Sequence, residues 1–407
     1  MKKPFYLLLL FTCLEATSQT FGLHYGNKDF AAILYIISGV LIGVLPLMKN
    51  KGEDNFNFKI PIFAKWWVFI FITIAVWILG ISLFNEQPLD YKFADMLPII
   101  QIMGERWLHG QEVYAIIPEI WNGMQPIYLP TMWMPFAGMT LIGVDIRFMN
   151  LIFILLAVFL ALDLATSKQK TTQASLLVLI PILILLAYVF IDYSTLITIT
   201  EEPVVIGYYM LLGYAIIKNK PILIAAALSF CFLSRYALLF WAVTYLFYTF
   251  FHISKRQALT IGIGTGVLSL LLLYFSQGIY QLELFYSLKD AYLETLNNPD
   301  KIQGVLNITQ KNIGLARFFT PEYLPILHSA LFWGSLVIPP ALYTWYHYVG
   351  RQWITPQWFA LCSLKLSLVW FFNMNAMPYS YLFYTSTFLS LIILGQYLDK
   401  EGLLENR

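Results

Sequence analysis

The sequence predicts an all-α polytopic membrane protein of about twelve transmembrane helices in a single domain, residues 1–407, and three observations carry that prediction. The chain is 59% hydrophobic and only 12% charged, where a soluble domain carries about 25% charged residues. Its apolar residues gather into runs that approach the roughly 20 needed for a helix to cross a bilayer. Aromatic residues make up 17% of the chain, which suits a protein with two membrane–water interfaces to line. The same composition excludes a water-soluble fold and intrinsic disorder. A net charge of +2 leaves no basic footprint for nucleic acid. Cys13, Cys231 and Cys362 lie far apart in apolar sequence, with neither metal-ligand spacing nor a disulfide framework.

In chain order the runs cover residues 5–21, 30–48, 62–84, 147–166, 172–192, 203–217, 221–234, 236–252, 257–277, 323–346, 353–372 and 379–398. The first follows Met1-Lys2-Lys3 as a signal peptide would. No small-x-small cleavage site precedes the next run, so an uncleaved helix is expected. Threading the runs alternately places fourteen Lys and Arg residues on one face, among them Lys168, Lys218 and Arg256. Nine fall on the other, among them Arg106, Arg147, Arg235 and Lys301, while Lys65 and Lys365 lie inside runs. Positive residues mark the cytoplasmic side, so both termini are expected inside, and Asp95, Glu202 and Lys301 outside.

Two long segments then face outward, 85–146 and 278–322, and segments of this length are usually functional. In the first, Phe93, Leu97, Ile100, Met103, Trp107 and Leu108 recur at helical spacing and predict an amphipathic helix on the outer membrane surface. Residues 127–143 are apolar but contain Pro130, Pro135, Gly138 and Gly143. A crossing there would invert every later charged loop, so a re-entrant or interfacial hairpin packed in protein is expected.

With charge this scarce, the charged groups near the outer surface are the candidates for chemistry. Asp95 lies within the amphipathic helix, Asp90 just before it. A carboxylate beside apolar groups at a membrane surface gains basicity and suits proton abstraction from an alcohol. The plainer alternative is a solvated face of an interfacial helix. Arg235 interrupts apolar sequence at the outer end of a helical hairpin, where an arginine is costly and is either paired or functional. Its forked donors fit a lipid phosphate; its structural alternative is a pair with Glu201 or Glu202, which are themselves candidates for binding sugar hydroxyls. His328, one turn into a run, is more often a hydrogen-bonded structural histidine than a catalyst. Asn373, Asn375, Tyr379, Tyr381 and Tyr384 read as an aromatic belt, and Asn307-Ile308-Thr309 fits a glycosylation acceptor pattern that is common by chance.

Asp95, Gly110 and Tyr114, then Tyr128-Leu129-Pro130 and Pro135, form a pattern across the first outer segment. It resembles the first outer loop of glycosyltransferase family 87, polyprenyl-phosphate-mannose-dependent mannosyltransferases of the GT-C fold. Tyr-Leu-Pro stands where that family has Tyr-Pro-Pro, Glu201-Glu202 where it has Gly-Gln, and Arg235 where it has Lys. The likeness runs from about residue 62 to 256. It implies a GT-C-like scaffold in the cytoplasmic membrane with its active site on the extracytoplasmic face. It further implies Asp95 as general base, Arg235 on the donor phosphate, and Tyr114, Tyr128, Glu201, Glu202 and His328 as substrate-binding residues. The implied partners are a polyprenyl-phosphate-linked sugar donor, a glycan or glycolipid acceptor and the lipid bilayer, with no metal and no cofactor.

Two other classes compete. A transporter or flippase would carry charge near the midplane and internal repeats, whereas the charges read here gather at the outer surface and no repeat is visible. An O-antigen-type polymerase or ligase relies on arginines in its large outer loop, and 278–322 holds only Arg317.

Overall fold

A computed structural model of the chain describes residues 3–24, 27–48, 62–166, 172–298, 313–374 and 380–397. Among these, every apolar run of the sequence is helical. The helices are α1 (Lys3–His24), α2 (Lys28–Val44), α3 (Ile62–Glu86), α4 (Met96–Leu108), α5 (Pro130–Leu141), α6 (Phe148–Thr166), α7 (Thr172–Ala187) and α8 (Thr195–Thr198). They continue as α9 (Glu202–Ile217), α10 (Pro221–Phe232), α11 (Leu239–Tyr248), α12 (Lys255–Phe275), α13 (Leu282–Asn297), α14 (Leu324–Tyr348), α15 (Pro356–Met374) and α16 (Phe383–Tyr397). Local chemistry sets many of the boundaries. Asn27 and Ser254 cap α2 and α12 through their side chains, and Pro130, Pro203 and Pro221 occupy first turns, where the missing N–H costs nothing.

Six helical stretches among the described residues are long and apolar enough to cross a membrane: Lys28–Leu47, Lys65–Glu86, Phe148–Thr166, Tyr236–Ile253, Lys255–Phe275 and Leu324–Tyr348. The chain has the build of an α-helical membrane protein. α9 and α16 are apolar but shorter, and both are buried along nearly their whole length at the centre of the bundle. The peripheral helices α3, α12 and α14 instead turn residues such as Phe71, Ile78, Ile263 and Val337 outward, as a lipid-facing surface requires.

Polar contacts sort the helix termini into two ends. At one end, Lys65 of α3 meets Asp163 of α6 at 2.7 Å, and Lys218 reaches the same carboxylate at 3.4 Å. Asn219 there accepts from Gln257, and Leu47 from Trp353. At the other end, Arg147 closes the C-terminus of α3 by donating to the Phe84 and Gln87 carbonyls while pairing with Asp145. Arg317 pairs with Asp29, and Trp107 donates to the Phe275 carbonyl at 2.7 Å.

The described residues of both long segments lie at the second, loop-bearing end. The amphipathic helix is α4, one turn shorter than its sequence pattern, with Leu97, Ile100 and Met103 buried and Phe93 left exposed before it. Residues 127–143 begin and end at this same end: Thr131 is bonded to the Phe230 and Leu233 carbonyls, and α5 runs on to the Asp145–Arg147 turn. At only twelve residues, α5 is packed on α4, where a Cβ at Gly104 would stand 3.3 Å from the Ala137 Cα. The second segment, expected as loop, contains α13, whose Phe285 ring packs edge-on against Tyr114 at 5.6 Å.

Two expectations change. Tyr381, Tyr384 and Asn373 do not form an exposed belt. They are buried, and Asn373 holds the Leu315 N–H at 2.9 Å. Charge is also not confined to the ends, because Lys365 and Glu15 form a fully buried pair inside the bundle at 2.5 Å. The expectations for Lys168, Lys301, Asn307, Asn375 and Tyr379 lie outside the described residues.

Candidate active site

The loop-bearing end gathers three of the sequence candidates into one buried charge cluster. Glu201 stands on the turn before α9 and Glu202 opens that helix, where a carboxylate favours the positive end of the backbone dipole. The turn is held rigid by Asn150, whose side-chain amide donates to the Ile197 and Thr200 carbonyls at 2.8 Å each. Gln87 adds bonds to Ser194 and Thr198. Arg235 lies on the extended residue after α10, and its Nη2 donates to Glu201 Oε1 at 3.1 Å and Glu202 Oε2 at 2.7 Å. Thr385 of α16 donates to the remaining Glu202 oxygen at 2.8 Å.

The cluster is unevenly satisfied. Both glutamates are fully buried while the Arg235 side chain keeps 23% of its surface exposed. Glu201 Oε2 and Arg235 Nε are buried without a hydrogen-bond partner. Burial lifts the Glu201 carboxyl to about 7; Arg235 opposes the rise and the Glu202 charge adds to it. Near neutrality the cluster thus takes up a proton readily. With that proton the cluster carries one negative charge fewer beside the guanidinium.

Asp95 occupies the N-cap position of α4, and its carbonyl accepts from Ile99 N at 2.9 Å. Its half-buried side chain makes no capping bond, so the carboxylate is not consumed by the helix start. Asp90 differs: its carboxylate accepts the Lys92 N–H at 2.9 Å and is committed to a turn. The neighbour of Asp95, Met96, receives the Tyr381 hydroxyl at 3.7 Å. Tyr381 lies within electrostatic range of the Arg235 guanidinium. Tyr381, read from the sequence as part of an aromatic belt, thus stands between the start of α4 and the Arg235 cluster.

The remaining candidates fall elsewhere. Tyr114 is buried, donates to the Tyr128 carbonyl at 3.1 Å and accepts from Trp133 at 3.3 Å, so it pins the segment between α4 and α5. Tyr128 is half-buried in that same segment. His328 packs its ring on Tyr292 of α13 at 5.3 Å, with the second segment rather than with Arg235. Thr385 and Tyr381 complete the cluster; their signal in the sequence was only their nearness to the start of the last apolar run. No family model, curated protein or solved structure matches the chain.

Proposed function

We propose that the chain is a membrane glycosyltransferase of GT-C-like build, threading about twelve spans through the cytoplasmic membrane with its loop-bearing end extracytoplasmic. It transfers a hexose, mannose by the resemblance, from a polyprenyl-phosphate donor to a lipid-linked or glycan acceptor with inversion. The observation that carries this reading is the buried Glu201–Glu202–Arg235 cluster with its partly exposed guanidinium, which Tyr381 links to the start of α4, where the uncapped Asp95 stands.

In this reading Asp95 takes the proton of the acceptor hydroxyl as its oxygen attacks the anomeric carbon. The bond from that carbon to the phosphate oxygen breaks, and its electron pair leaves with the phosphate. Arg235 meets the charge that develops there, and protonated Glu201 keeps the pocket from repelling it. Glu202, held by Thr385, positions the guanidinium. Tyr114 and Tyr128 act by shaping the segment after α4, and His328 would touch only a part of the acceptor reaching α13. The test is purified protein in lipid with labelled polyprenyl-phosphate sugars and candidate acceptors. Transfer that is lost in Asp95→Asn supports the reading, and no transfer from any donor overturns it.

A second reading has one specific observation in its favour. The Glu15–Lys365 pair is an intramembrane ion pair of the kind found along ion and proton paths in transporters. Solute uptake into proteoliposomes without sugar transfer would favour it.

A further inference from the structure

At the end opposite the candidate active site, α11, the helical turn Thr249–Ile253 that continues it, and the last turns of α14 line an open cavity of about 330 Å³. Two histidines line it, His252 and His347, with ring centroids 4.4 Å apart. Tyr248 packs against His252 at 4.8 Å and against Tyr343 at 5.1 Å, closing the inner wall. His347 Nδ1 is buried without a hydrogen-bond partner. Such a group is available to a ligand that can bond to it. Neither histidine has a role in the reading of the active site.

The surroundings select the ligand. Arg351 follows α14 closely enough to act electrostatically on both His347 and Tyr248. Lys255, three residues beyond His252, lies over the Phe250 ring at 5.8 Å. A cation or metal ion would meet this positive field, whereas an anion is drawn by it. Neutral imidazole offers one N–H and imidazolium two, so the pair supplies donors in either state. The cavity also opens sideways: Phe247, Phe251 and Tyr348 are 61%, 64% and 71% exposed on helices apolar enough to cross a membrane. His252 and His347 each lie one residue from the end of such a stretch, where a crossing helix meets the lipid headgroups. The volume lies within the usual range for a small-molecule site, about 300–1,000 Å³.

We propose that this cavity is a binding site for an anionic phospholipid, with the headgroup phosphate on the His252–His347 pair and its glycerol and first methylenes against the aromatic wall. Basic pockets between membrane helices hold lipid phosphates in this way. The inference is independent of the glycosyltransferase reading, since its measurement involves no sugar transfer.

Native mass spectrometry of the detergent-purified protein tests it, with added phosphatidylglycerol, phosphatidylcholine or inorganic phosphate. One phosphatidylglycerol should survive activation that strips phosphatidylcholine, and its occupancy should fall about tenfold in His252→Ala/His347→Ala. The His252→Gln/His347→Gln variant keeps amide donors and should retain an intermediate share, which also covers the event that the alanine pair fails to fold. Equal retention of the two lipids by the wild type, or unchanged retention in a folded double variant, overturns the proposal. Binding of inorganic phosphate as tight as that of the lipid overturns the lipid assignment in favour of a soluble anion site.

Discussion

Replacing Lys365 with methionine removes a cation from the middle of the bundle at little change in length. Lys365 Nζ bonds to Glu15 Oε1 at 2.5 Å and to the Ser386 carbonyl and hydroxyl at 2.8 Å each. Glu15 Oε2 accepts from Ser390 at 2.6 Å, and neither charged side chain has any exposed surface. With the cation gone, the Glu15 carboxylate keeps a single serine hydroxyl in a medium without water. Breaking a buried pair in this way costs about 3–5 kcal/mol, whereas replacing both partners by neutral groups of like volume is often close to neutral. Lys365→Met should therefore lose about 3–5 kcal/mol, and Glu15→Gln/Lys365→Met, whose glutamine still meets Ser390, should recover most of it. Reversible unfolding in mixed detergent–SDS micelles, or steric trapping in bicelles, measures the four free energies of the cycle. A double variant as unstable as the sum of its singles means the two charges are not coupled, and the reasoning fails.

Other outcomes follow from the same geometry. Asp95→Asn should lower sugar transfer by about 10²–10⁴-fold, the usual contribution of a general base, while Asp90→Asn, whose carboxylate only closes a turn, should leave it near wild type. Arg235→Ala should destabilise the fold and weaken donor binding, with Arg235→Lys intermediate; unchanged donor affinity in a folded Arg235→Ala variant would reduce Arg235 to a partner for its two glutamates. Glu201 holds its proton up to about 7 when folded against an ordinary 4.5. Between those values the unfolded chain binds fewer protons, so this group's stabilisation is full below 4.5 and is lost as pH rises through 7, a slope that Glu201→Gln should flatten in pH-dependent unfolding. Cysteines at Lys218 and Lys289 should label from opposite sides of the membrane, and labelling from one side refutes the threading.

Apolar length was legible throughout, because a helix in lipid must satisfy its backbone within one segment and must do so in one run. That is why the described runs are helices, and why α4 and the returning path of α5 were readable from register and prolines. Crossing was harder to read: α9 and α16 are apolar yet short, since central helices are surrounded by protein rather than lipid. The Glu201–Glu202–Arg235 cluster was foreseeable as a pairing because opposite charges fell on neighbouring outer turns. The Glu15–Lys365 pair was not: its members are 350 residues apart and leave no local pattern. The same holds for His252 and His347, each an isolated histidine in its own helix until α11 and α14 are packed together.

The two buried charge clusters are not independent, and α16 is the reason. Thr385 bonds to Glu202 in the Arg235 cluster, and the next residue, Ser386, holds Lys365 through both its hydroxyl and its carbonyl. Successive helical residues point about 100° apart, so one turn of α16 faces both clusters at once. A side chain lost at Lys365 leaves Ser386 without its charged partner, and any shift of α16 that follows should carry Thr385 with it. Glu202 then loses the hydroxyl that fixes one of its oxygens, and with it the orientation of Arg235. Changes made in the interior should therefore be felt at the Arg235 cluster as a poorly held guanidinium, without any contact between Lys365 and a substrate. Under the proposed reaction the interior pair acts through position, as the support of the residue that supports Arg235.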